Sequence, residues 1–247
     1  MKMIKRLLSI LGIYLPMTSL GVLAQPTPLT IGQFHDLLLS TAQPQLLDAR
    51  TPEEFAINHI SGAINVNIND SASIKQIVGT LRRDAPVFTY TINDGGRSAQ
   101  LAKKLKIYGF STVYQLPGGL INWVGSGYPI ISNNGKGVDI FSEQLKELVR
   151  QQPLVLVEYG SRYCGTCRKQ ASVLDTLQKN YTEQQVKVIR VDLNDSPDLI
   201  KEEQVKVIPA LALYKNGQLQ WKHTGLLHFT DINSILTNKE NGDSSTH

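Results

Sequence analysis

Leu154-Val155-Leu156-Val157-Glu158-Tyr159-Gly160-Ser161-Arg162-Tyr163-Cys164-Gly165-Thr166-Cys167 is the stretch that decides the fold of the chain's second half. Its first four residues form a continuous apolar run, the pattern of a short strand covered on both faces. Beyond the cysteines the apolar spacing changes, and Ala171, Val173, Leu174 and Leu177 mark one side of a helix. The two cysteines therefore stand at a strand-to-helix junction. A helix N-terminus offers unpaired N–H donors and partial positive charge, which stabilise a thiolate and lower the pKa of the first cysteine from about 8.5 towards neutrality. Cys164 is thus the expected attacking nucleophile. Two intervening residues let the helical turn bring Cys167 beneath it, where it can resolve a mixed disulfide. As a passive staple the pair is poorly placed, because so small a ring barely restricts the unfolded chain.

Working outward, Ile140 to Val149 is an amphipathic helix with Phe141, Leu145, Leu148 and Val149 apolar, and Val186 to Val191 is a strand. Val207-Ile208-Pro209-Ala210-Leu211-Ala212-Leu213-Tyr214 follows, then a hairpin turn at Lys215-Asn216-Gly217-Gln218 leading into Leu219-Gln220-Trp221. From Leu154 to about Leu236 the chain resembles thioredoxin, through the Cys-x-x-Cys, the Val-Ile-Pro, the Lys-Asn-Gly turn and the Val-Asp-Leu-Asn strand end. The resemblance implies a thioredoxin fold over 140–238, a central mixed sheet flanked by helices, with a redox disulfide between Cys164 and Cys167. It also implies a cis peptide before Pro209, lying against the disulfide, where the Ile208 backbone pairs with an extended substrate. Three departures stand out. Glu158 replaces a buried Asp that exchanges protons with the inner cysteine, and is expected to take its role. Arg190 replaces that Asp's Lys partner and would hold Glu158 ionised if both are buried. Tyr163, a third expected substrate contact, replaces the usual Trp, and the Gly-Thr dipeptide departs from Gly-Pro.

The first half alternates strand and helix, a parallel α/β layout. Leu29 to Leu39 has helical spacing, Gln45 to Arg50 reads as a buried strand ending in polar residues, and Val87 to Thr91 as another strand. Thr51 is an N-cap with Pro52 at the first helical position and Glu53 and Glu54 beside the positive end of the dipole. A Gly-rich loop then leads into a helix from about Ser98 to Tyr108. Leu47-Asp48-Ala49-Arg50-Thr51-Pro52-Glu53-Glu54-Phe55, His59-Ile60, Gly62-Ala63-Ile64-Asn65, Gly95-Gly96-Arg97-Ser98 and Leu116 through Gly118-Gly119 to Trp123 together resemble the rhodanese family across 28–131. That resemblance implies a rhodanese-like parallel α/β domain whose loop after the central strand opens with a persulfide-carrying cysteine. Here the loop reads Tyr90-Thr91-Ile92-Asn93-Asp94-Gly95-Gly96-Arg97-Ser98. Counting from Arg97 sets Ile92 at the cysteine's place; counting from Tyr90 sets Thr91 there. Neither supplies a thiol, so the domain is expected to be catalytically silent. Gly95, Gly96, Arg97 and Ser98 remain a candidate anion site, Arg97's alternative being an internal salt bridge. Asp94, read as inside that loop, would repel an anion. His59 and Trp123 read as core or turn residues.

The chain's 247 residues suit two domains. Residues 132–139 read as a polar, Gly-containing linker and 239–247 as a flexible tail. Lys2, Lys5 and Arg6 supply three of the 25 basic residues; without them 22 stand against 21 acidic ones, which gives no reason to propose nucleic acid as a partner. Those three open an export signal over 1–24, with an apolar run from Leu7 to Leu15 and Val22-Leu23-Ala24 before Gln25. Leu7 to Leu23 is 17 residues broken by Pro16, short of the about 20 that span a bilayer, so cleavage is preferred to an anchor. The expected location is periplasmic or secreted, with membrane contact only if the signal is uncleaved. With two cysteines and five histidines, metal ligation lacks donors, and no cofactor is expected. The expected function is thiol–disulfide exchange with client proteins or small disulfides, in the reducing direction and fed by a membrane thiol donor. The alternative is a binding module, in which the silent first domain recruits a partner or sulfur-containing ligand to the second. A weaker third is a sulfurtransferase relay with Cys164 as acceptor.

Overall fold

The computed structural model describes residues 28–94, 96–133, 137 and 139–241, with backbone alone from 238. The expected export segment and Gly95 lie outside the described residues.

The first domain begins with α1 (Ile31–Ser40), capped by Thr30 and Gln33 in a reciprocal capping box, and β1 (Gln45–Asp48). Then come α2 (Pro52–Ile57), β2 (Asn58–His59), β3 (Ile64–Asn65), α3 (Ser71–Thr80), β4 (Val87–Tyr90) and α4 (Gly96–Ile107). β5 (Val113–Gln115), α5 (Gly119–Gly125) and β6 (Ile131–Ser132) complete it. The sheet order is β3-β1-β4-β5 and every pairing in it is parallel. All residues of β1 and β4 are buried, as two-sided cover by helices requires. β2 and β6 form a separate antiparallel pair, Asn58 opposite Ser132. Ser132 and Asn133, whose N–H donates to the Ile57 carbonyl, thus belong to the first domain and not to the expected linker.

The second domain comprises α6 (Ser142–Arg150), β7 (Leu154–Gly160), α7 (Gly165–Asn180), β8 (Lys187–Asp192) and α8 (Pro197–Glu202), then β9 (Ala210–Lys215), β10 (Gln218–Thr224) and α9 (Phe229–Asn241). Its sheet order is β10-β9-β7-β8, with β7 parallel to β8 and antiparallel to β9. This is the mixed sheet that the thioredoxin resemblance implied, and all seven residues of β7 are buried, the first four as the apolar run at 154–157 predicts for a strand covered on both faces. α9 runs past the expected boundary at 238. No described helix is long and apolar enough to cross a membrane.

The two domains share one apolar cluster. Ile92, Leu120, Ile121 and Val124 of the first belong to it together with Cys164, Cys167, Val205 and Ile208 of the second. α5 lies against α8, and the fit is close at Gly125, where a Cβ would run into the Val205 carbonyl oxygen. A buried polar chain crosses the same boundary. Asp48 and Arg50 form an ion pair at 2.7 Å with no exposed side-chain surface, and Arg50 also donates to the Asn58 side-chain oxygen at 3.1 Å. Asn58 in turn reaches the Asn194 side-chain oxygen at 3.4 Å.

Candidate functional site

β7 and α7 place the two cysteines. Cys164 is the N-cap of α7, and its sulfur accepts from the Cys167 N–H at 3.2 Å and lies 3.1 Å from the Thr166 hydroxyl. Cys164 and Cys167 are disulfide-bonded, with their Cα atoms 5.2 Å apart. The Ile208–Pro209 peptide is cis, as the resemblance implied. The Pro209 carbonyl accepts from the Gly225 N–H, which anchors the loop entering β9.

Behind the disulfide, Glu158 projects from β7 next to β8, in register with Arg190. Gly160 leaves room there: a Cβ at that residue would lie 3.6 Å from the Cys167 sulfur and 3.7 Å from a Glu158 carboxylate oxygen. A cavity of about 280 Å³ is lined by Glu158, Gly160, Cys167, Arg190 and Asp192 among others. Arg190 is 42% exposed and divides its charge between Glu158 at 3.4 Å and Asp175 at 2.6 Å. Burial therefore outweighs it: the Glu158 carboxyl is pushed up from 4.5 to about 7 by desolvation, with Arg190 opposing and Asp175 and Asp192 adding to the rise. The expectation that Arg190 holds Glu158 ionised is corrected on this point, because it required both side chains to be buried.

The loop of the first domain faces the same disulfide. Thr91 and Ile92 are buried, and their carbonyls accept from the Leu120 and Ile121 N–H groups at 2.8 and 3.0 Å. This pulls the loop onto the start of α5, an approach that only glycine at 119 permits. A Cβ there would meet the Asn93 backbone and the Thr91 carbonyl, and Gly119 has φ +67°. Asn93 is consequently aimed across the boundary, its side-chain amide 3.8 Å from the Cys164 sulfur. Asp94 is not inside an anion cradle; it turns outward and accepts from the Gly118 N–H at 2.5 Å.

For Arg97 the internal salt bridge is the one formed. Its two terminal nitrogens meet the buried Glu54 carboxylate at 2.5 and 2.8 Å, and Glu54 also closes the capping box of Thr51. Ser98 is buried in α4 and Gly96 opens that helix. His59 stacks on Phe55, and the Trp123 indole N–H donates to the Pro129 carbonyl at 2.9 Å; both are structural, as read from the sequence.

The structure sets Cys164, Cys167 and Ile208 in one apolar cluster, with Tyr163 and Cys164 lining a cleft shared with the first domain. It does not leave Ile208 open to an extended chain. That residue is 4% exposed and Cys164 1%, and both belong to the apolar cluster that the two domains share. Sequence reasoning missed Asn93 and the Asp48-Arg50-Asn58 chain. Asn93 carried no signal beyond being a polar loop residue, whereas the paired charges flanking Ala49 at a strand end could have been read as a buried network.

Comparison with known proteins agrees with this architecture. A family model described as thioredoxin matches residues 137–238, and one described as rhodanese-like domain matches 30–126. Thioredoxin 1 of Synechococcus elongatus is 33% identical over 73 residues, covering 30% of this chain and 67% of that protein. The thioredoxin of Ictalurus punctatus is 32% identical over 83 residues, covering 34% and 76%. Among solved structures, mitochondrial thioredoxin 3 of Saccharomyces cerevisiae in its oxidized form matches at 24% identity and a TM-score of 0.36, over 41% of this chain and 94% of that one. With its redox pair, cis-proline and mixed sheet in the matched segment, the chain belongs to the thioredoxin family, its thioredoxin domain following a rhodanese-like one.

Proposed function

We propose that this chain is an exported thiol–disulfide oxidoreductase that works as a reductase through Cys164 and Cys167, with a first domain that carries no sulfur chemistry of its own. The observation that supports it most is the cysteine pair at the start of α7, backed by a protonatable carboxyl at Glu158. When the pair is reduced, the Cys167 N–H and the Thr166 hydroxyl stabilise a Cys164 thiolate. That thiolate attacks one sulfur of a substrate disulfide: a Cys164–substrate bond forms, the substrate S–S bond breaks, and one substrate thiolate leaves. Cys167 then gives its proton to Glu158, through the cavity they share, which is large enough for water. The Cys167 thiolate attacks the Cys164 sulfur, and the second substrate thiol departs. Two electrons have passed from the pair to the substrate, and a thiol donor at the membrane restores them.

Pre-reduced mature protein, freed of reductant, should be oxidised by a disulfide substrate in a single turnover, with recovery of the substrate thiols. Cys164→Ser should abolish this. Unchanged oxidation in that variant would defeat the assignment. Export is checked separately by sequencing the N-terminus of the protein recovered outside the cytoplasm, which should begin at Gln25.

A further inference from the structure

Cys164 is 1% exposed and Ile208 4%, yet the pair must meet a substrate. Three features cover it: the apolar contact of Ile92, Leu120, Ile121 and Val124 with the second domain, the close seat of Gly125 on Val205, and the amide of Asn93 on the Cys164 sulfur. A cleft of about 420 Å³ opens between the domains, and its walls include Thr91, Asn93, Arg97, Tyr163, Cys164 and Arg168. That volume falls within the range of small-molecule sites and is too small for a folded client.

The cleft's chemistry points to an anion. Glu54 also lines it, but its charge is taken up by Arg97. Arg168 has no carboxylate partner among the described residues, its guanidinium donating to the Arg162 carbonyl at 3.2 Å, and the N-terminus of the 16-residue α7 opens onto the same space. The Thr91 hydroxyl, in a residue only 3% exposed, lacks a hydrogen-bond partner among the described residues. The wall therefore sets a surplus cation and a helix N-terminus beside Cys164.

We propose that the rhodanese-like domain is a fixed cap on the redox face, so that Cys164 exchanges with small anionic disulfides entering this cleft and not with protein chains. This rests on the oxidoreductase reading above. The reaction is the same exchange: the Cys164 thiolate displaces one thiolate of the small disulfide, and Cys167 displaces the other as the protein disulfide forms.

The test uses the pre-reduced full mature chain in single turnover against glutathione disulfide, which is anionic, cystamine, which is cationic, and insulin, a protein disulfide. Glutathione disulfide should react about tenfold faster than cystamine and about a hundredfold faster than insulin, and Arg168→Glu should remove the charge preference. Gly125→Leu, which forces α5 off Val205, should raise the insulin rate about tenfold. Insulin reacting as fast as glutathione disulfide in the unaltered chain would overturn the cap, and a charge preference absent or unmoved by Arg168→Glu would overturn the anion site. A second measurement needs no substitution. Iodoacetamide should alkylate Cys164 of the reduced native protein while a polymer-bearing maleimide does not; equal reaction of both, or of neither, would overturn the cleft as the entrance. Failure of all three disulfides to oxidise the chain would instead remove the oxidoreductase reading on which the proposal stands.

Discussion

Glu158 shows how burial and one partner's exposure set a carboxyl's state. It sits buried in β7, and the cation opposite it is shared with Asp175 and half in water, so desolvation wins and the carboxyl titrates at about 7. Because the folded state keeps this proton from pH 4.5 up to about 7, the unfolded chain releases it first. Stability from this group is therefore full below the unfolded value and is lost as pH rises through the folded one. Glu158→Gln should flatten that slope. Denaturant melts of the oxidised protein should find the variant the more stable at pH 8, by roughly 3 kcal/mol at most, with the difference gone near pH 4. A variant less stable than the parent at pH 8 would contradict the buried, protonatable carboxyl. The same substitution should remove an inflection near neutrality from the pH profile of the Cys167 step, since the acceptor for its proton is gone. Sequence reading found this residue through the thioredoxin resemblance, as the replacement for a buried Asp. It could not weigh burial against Arg190, because whether a long side chain on a neighbouring strand points inward or spreads to a second carboxylate depends on packing.

At the scale of elements, the Glu54–Arg97 pair joins two of them, the start of α2 and the first turn of α4. Glu54 is 2% exposed, so removing its cation leaves a buried charge unpaired. Arg97→Met should cost about 3 kcal/mol in urea unfolding, whereas Thr51→Ala, which removes only the hydroxyl half of the capping box, should cost about 1. Equal effects would mean that the pair is solvent-screened and serves neither helix. Thr51 was legible as a cap because Thr-Pro-Glu-Glu puts every N-terminal preference in order. The first four residues of β7 were legible for a related reason, since a continuous apolar run has few solutions besides a two-sided strand, whereas the burial of Glu158, Tyr159 and Gly160 beyond it was not. α5 was not legible as a helix: Leu116 to Trp123 read only as part of the rhodanese motif, and nothing local says that Leu120, Ile121 and Val124 share an apolar cluster with Val205 and Ile208 of another domain.

Across the whole molecule, a domain that lacks a thiol is seated on one whose two thiols are the only ones in the chain. Any sulfur transfer must then pass through Cys164 or Cys167. The Cys164→Ser/Cys167→Ser double variant should move sulfur from thiosulfate to cyanide no faster than the uncatalysed rate; transfer above it would show that the loop from Thr91 to Ser98 carries chemistry without sulfur. The central claim, that Cys164 attacks and Cys167 resolves, is tested most directly by trapping. Full-length Cys167→Ser, reduced and mixed with glutathione disulfide, should accumulate a mixed disulfide that peptide mass mapping places on Cys164, while Cys164→Ser treated alike should stay largely unmodified. An adduct forming faster on Cys167 of the Cys164→Ser protein than on Cys164 of its counterpart would contradict the account.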